Sequence, residues 1–130
     1  MRAFLQNKLW RDKAVDLMTE MKSIIHWHRL EDAEYDEQLR LKLLEEAEEV
    51  GRANSQQELM EELADVFEII DAICEVNGIV TEKIQEIQGK KRAERGGFKE
   101  RKFVTVAEHL EGSFGEKYCL ADPGKYPEVR

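Results

Sequence analysis

A chain of 130 residues and 15.2 kDa is one domain's worth of polypeptide, long enough to bury roughly two-thirds of its unfolded surface. Apolar residues at 42% and charged residues at 37% describe a globular protein with a heavily charged exterior, and the net charge of −8 opposes duplex nucleic-acid binding, which relies on Lys and Arg to neutralise phosphates. No apolar run approaches the ~20 residues of a membrane helix, Met1 to Lys13 has no apolar signal segment, and two cysteines without a CxxC pair point to a reducing, cytoplasmic setting.

Both prolines, Pro123 and Pro127, lie in the last eight residues, so nothing interrupts long helices before them. The first helical pattern runs from about Leu9 to His28, with Ala14, Leu17, Met18, Met21, Ile24 and Ile25 at three- and four-residue spacing. A polar stretch from Glu31 to Asp36 precedes a second helix, predicted from about Asp36 to Arg52 with Leu39, Leu43, Ala47 and Val50 on its core face. Asn54 or Ser55 is the expected N-cap of a third helix, Ser55 forming a capping box with Glu58, and that helix continues to about Asn77 with Gly78 as its stop. A fourth starts near Thr81 and ends by Gly96-Gly97, Gly89 weakening its last turns. Residues 1–98 therefore read as an all-α helix bundle of about four helices. Residues 99–130 read as an irregular extension with a short strand over Phe103–Ala107.

The position of the acidic residues is more informative than their number. With Leu59 at zero and ~100° per residue, Glu61, Glu68 and Glu75 form an ordinary solvated stripe, whereas Glu62 falls near 300° beside Ile69 and Ile73. Asp65 falls near 240°, between Ala72 and Val76. The apolar residues of helix three cover most of its circumference, as for a helix buried on several sides. On helix two, Glu46 lies flush against the core arc, Glu49 is about 60° further on, and Glu45 and Glu48 point outward. Two adjacent helices thus each carry an i, i+3 acidic pair, Glu46/Glu49 and Glu62/Asp65, at a buried face. Uncompensated carboxylates there cost several kcal/mol, and Lys42, four residues before Glu46, balances only one. A hard, oxygen-liganded cation such as Mg²⁺, commonly shared with substrate phosphates, compensates the rest.

Glu45-Glu46-Ala47-Glu48-Glu49 followed after twelve residues by Glu62-Leu63-Ala64-Asp65 resembles the EExxE…ExxD signature of the MazG-like, all-α nucleoside triphosphate pyrophosphohydrolases. Asn7-Lys8-Leu9-Trp10-Arg11-Asp12-Lys13 is similar to the NKLxRDK motif of one branch, and Arg95-Gly96-Gly97-Phe98 to the RGGF after its last helix. Ala14-Val15 stands where that branch usually has Ile-Pro. The resemblance implies hydrolysis of the α–β phosphoanhydride of an NTP or dNTP to the monophosphate and pyrophosphate. It further implies Mg²⁺ (or Mn²⁺ in its place) on Glu46, Glu49, Glu62 and Asp65, and a homodimer or dimer of dimers sharing helices between subunits. On this footing Glu49 or Glu45 is the candidate general base, and Lys8, Arg11, Lys13, Lys91 and Arg95 are candidate phosphate ligands.

Two rivals remain. A di-iron carboxylate bundle needs ExxH pairs, but Ser23, Ile25 and Val106 stand three residues before His26, His28 and His109. A non-enzymatic acidic interaction module explains the charge but not Glu62 and Asp65 inside an apolar arc. Within the enzyme class, a phosphoribosyl-ATP pyrophosphohydrolase-like activity, or a dedicated dUTP or dCTP enzyme, is an alternative substrate choice.

Overall fold

The structure, a computed structural model, describes residues 1–130. It is all-helical, with α1 (Asp12–Glu20), α2 (Asp32–Arg52), α3 (Gln56–Val76), α4 (Thr81–Arg95) and α5 (Phe114–Leu120), and it contains no strand. Two compact units, Met1–Lys91 and Arg92–Arg130, divide inside α4, ahead of the 98/99 boundary expected from composition. No helix is long and apolar enough to cross a membrane.

In the first unit α2 and α3 form a helical hairpin joined by Ala53, Asn54 and Ser55. Backbone chemistry fixes this joint. Ser55 is extended and its Oγ accepts from the Glu58 N–H at 3.1 Å, while Glu58 Oε2 accepts from the Asn54 N–H at 2.8 Å, so two orphan donors are satisfied reciprocally. At the far end Gly78 takes φ +65°, a left-handed conformation that favours glycine, and the Ile79 N–H returns to the Cys74 carbonyl at 2.8 Å. Asn77 Nδ2 donates to Asp36 Oδ1 at 2.7 Å, tying the end of α3 to the start of α2. That bond is the largest influence holding the Asp36 carboxyl below its usual range, aided by Arg40 against a cost of burial. The two helices therefore run antiparallel over their full lengths.

The buried set is small: Leu39 on α2, Ile69 and Cys74 on α3, and the charged Glu46 on α2. Ala47, expected on the core face of α2, is exposed, and Glu46 takes the covered position instead. The single chain does not close a four-helix bundle, because α2 and α3 supply the extensive helix packing of the first unit. The amino-terminal half of α3 is not enclosed on several sides either. Leu59, Met60, Leu63 and Phe67, which share an arc of about 100°, are open to solvent, Phe67 at 69%.

Three helix termini differ from expectation, the first being the start of α1 at Asp12 and not near Leu9. The first helix ends at Glu20 instead of continuing to His28, because Lys22 adopts φ 74° and its N–H and that of Ser23 turn back to the carbonyls of Thr19 and Met18. This is a Schellman closure built on lysine where glycine is usual. The second helix begins at Asp32, so the polar stretch before Asp36 is its first turn, and Asp32 and Glu34 sit where the helix dipole favours acids.

In the second unit Gly96, at φ +81°, follows the last residue of α4. The strand expected over Phe103–Ala107 does not form; that segment is coil, with no partner strand to supply a ladder. The extension folds instead around α5, capped by Ser113 Oγ on the Glu116 N–H at 3.4 Å and by Glu116 Oε1 on the Gly112 N–H at 3.0 Å. Phe114, Tyr118 and Tyr126 stack with ring centroids 6.0 and 5.7 Å apart. Gly115 leaves room for the His109 ring, which lies where a Cβ would project.

Candidate metal centre

The antiparallel hairpin brings Glu46 of α2 level with the Glu62/Asp65 pair of α3, but not Glu49. Carboxylate oxygens of Glu46, Glu62 and Asp65 lie within 4.8 Å of one another. Glu46 is the innermost, 9% exposed, and its Oε2 is buried with no hydrogen-bond partner. Glu62 and Asp65 are half-buried on the facing turns of α3. Burial, first, then the hydrogen-bonding Glu62 carboxyl and the charges of Asp65 and Glu62, push the Glu46 carboxyl up to about 7, with Lys42 pulling the other way. Such an orphaned buried acceptor costs on the order of 1–3 kcal/mol, so the cluster is electrostatically incomplete as it stands.

The other predicted residues divide by position. Glu49 lies outside that trio; it lines an adjoining depression with Arg52, Ala53, Glu58 and Glu62, and its Oε1 accepts from Arg52 at 3.5 Å. Glu45, placed on the outward side of α2 from sequence, is half-buried and pairs with Lys8 at 3.1 Å. Arg11 reaches Asp65 Oδ1 with Nη2 at 2.6 Å. Lys8 and Arg11, expected to contact phosphate, thus stand on the carboxylates. Lys13 is exposed on α1 and Lys91 on α4, neither in an ion pair. Arg95 closes α4 within the second unit, exposed.

Sequence spacing contains no signal for the Lys8–Glu45 and Arg11–Asp65 pairs, whose members are 37 and 54 residues apart. Glu58 was legible only as a cap, yet it also faces the depression beside Glu49 and Glu62.

The donor set is all carboxylate, which suits hard cations such as Mg²⁺ or Mn²⁺ over thiophilic ones. Glu46 Oε2, buried and unpartnered next to two further carboxylates, is the observation that such an ion fits. Compared with models of protein families, with curated proteins and with solved structures, the chain gives no match.

Proposed function

We propose that the protein hydrolyses nucleoside or deoxynucleoside triphosphates between the α and β phosphorus atoms, releasing the monophosphate and pyrophosphate, and so cleans cytoplasmic nucleotide pools. The observation that carries the reading is the buried, unpartnered Glu46 oxygen beside Glu62 and Asp65, within a sequence whose EExxE…ExxD, NKLxRDK and RGGF segments resemble those of the MazG-like enzymes. Glu46, Glu62 and Asp65, with Glu49 from the adjoining depression, hold Mg²⁺ or Mn²⁺. When bound, the ion offsets the triphosphate charge and acidifies an attacking water.

The remaining roles belong to side chains at the rim. Glu49 or Glu45, each at least partly open to solvent, takes the proton from the water. Lys8, Arg11, Lys13 and Lys91, all of the first unit, supply positive charge to the departing pyrophosphate. A second copy of the chain covers the open arc of α3 and completes the bundle, in a homodimer or a dimer of dimers. Support for this comes from the core itself: three buried apolar side chains are too few to offset the ordering of a chain this long.

The test is pyrophosphate release from a panel of canonical and modified NTPs and dNTPs, with phosphoribosyl-ATP included, in Mg²⁺ and in excess EDTA. Metal-dependent formation of pyrophosphate and monophosphate is expected. Orthophosphate as the product would move the cleaved bond, and no turnover together with no Mg²⁺ heat in calorimetry would leave the acidic interaction module as the better account.

A further inference from the structure

We propose that the amino-terminal segment Asn7–Arg11 serves as a built-in counter-cation for the acidic cluster and is exchanged for the divalent ion when that ion binds, an inference that rests on the metal reading above. The charges are arranged for it. Arg11 covers Asp65 and Lys8 covers the neighbouring Glu45, so two of the acids are neutralised from the rim. Neither basic group reaches Glu46 Oε2, which is nine-tenths buried and has no partner. The segment therefore pairs with Asp65 and Glu45 and gives no basic partner to Glu62 or to the innermost acid, Glu46.

How the segment is attached decides whether it can leave. Residues 1–11 belong to no helix, and the backbone bonding of this region starts with the Ala14 N–H on the Arg11 carbonyl at 3.0 Å. Asn7 turns the chain with φ 49°, a left-handed conformation that asparagine accepts more readily than most residues. What holds the segment down is the two ion pairs, with Arg11 58% exposed, and the half-buried Leu9 and Trp10. Ion pairs this open to water are individually weak, and a segment with so few backbone bonds belongs to the easily opened end of the stability range. A dication among Glu46, Glu62 and Asp65 repels the guanidinium and takes over its carboxylate. The same two side chains are then released at the rim of the site, free to meet an anionic substrate. Arg11 and Lys8 thus serve the acids first and phosphate second.

Trypsin reads this exchange directly, since it cuts after Lys8 and after Arg11. The full-length chain is digested briefly with and without Mn²⁺, cleavage after Arg101 and Lys102 in the second unit serving as the internal reference, and Mn²⁺ affinity is measured by calorimetry for wild type, Arg11→Gln and Arg11→Lys. Mn²⁺ is expected to accelerate cleavage after Lys8 and Arg11 several-fold relative to the reference. Arg11→Gln should bind Mn²⁺ roughly five-fold more tightly, the upper range of what a partly exposed ion pair withholds, and Arg11→Lys should stay near wild type. Mn²⁺ binding with unchanged or slower cleavage after Lys8 and Arg11 overturns the exchange and leaves the metal site standing. Absence of Mn²⁺ binding in wild type and in Arg11→Gln overturns the metal reading, and the exchange with it.

Discussion

The two sides of α3 differ in composition, and their burial runs opposite to what that composition favours. The side toward α2 mixes Glu62 and Asp65 with Ile69 and Ile73, and it is the covered one. The other side, over Leu59, Met60, Leu63 and Phe67, carries no charge at all and lies open to solvent. Apolar surface placed outside and carboxylates placed inside reverse the ordinary partition. The two sides therefore differ in what they leave unmet: one holds an unpartnered buried carboxylate oxygen at Glu46, the other open apolar surface.

The sharpest way to break the comparison is to neutralise the inner side. Glu46→Gln, Glu62→Gln and Asp65→Asn should each lower pyrophosphate release at least about 100-fold, the scale of losing an electrostatic element of a catalytic site, while far-ultraviolet circular dichroism stays helical. Near-normal turnover in any two of them removes the metal assignment. On the outer side, Leu63→Asp combined with Phe67→Asp should convert the proposed dimer to a monomer in sedimentation analysis and lower its melting temperature. An unchanged sedimentation coefficient would show that nothing docks there.

The buried acid also predicts a pH dependence of stability. Because the folded-state pKa of Glu46 is raised from 4.5 to about 7, the folded chain binds more protons than the unfolded chain between those values. Its contribution is most favourable below about pH 4.5 and is lost progressively as pH rises from there through about 7. Urea titrations in EDTA should show this fall in wild type, and Glu46→Gln should remove it. The smallest effect belongs to the solvated stripe. Glu61→Gln and Glu68→Gln should keep activity within about two-fold and stability within about 0.5 kcal/mol of wild type, and a larger loss in either would extend the site around the helix.

How much of this was legible in sequence follows the range of the interactions. The Ser55 and Glu58 cap, the Gly78 stop and the inward angle of Glu62 and Asp65 are determined within a few residues of chain, and each is found where periodicity and capping chemistry place it. The end of α1 was not legible, because its amphipathic pattern runs on through Ile24 and Ile25 while a lysine, not a glycine, makes the left-handed turn. The helix at Phe114–Leu120 did have a signal, Ser113-Phe114-Gly115-Glu116, but glycine at its second helical position obscures the capping pattern. Its reason is tertiary: the His109 ring takes up the space. The ion pairs that Lys8 and Arg11 make on the carboxylates depend on how distant segments meet, so they arise only in the folded chain.

The three-residue joint between α2 and α3 has a kinetic corollary. A loop this short costs little closure entropy, and contacts between helices adjacent in sequence form quickly compared with pairings across a whole domain. Glu46 and Glu62, sixteen positions apart on either side of that joint, are therefore brought face to face early, when the chain first collapses. When both are ionised the two carboxylates repel one another, which opposes the joining of α2 and α3.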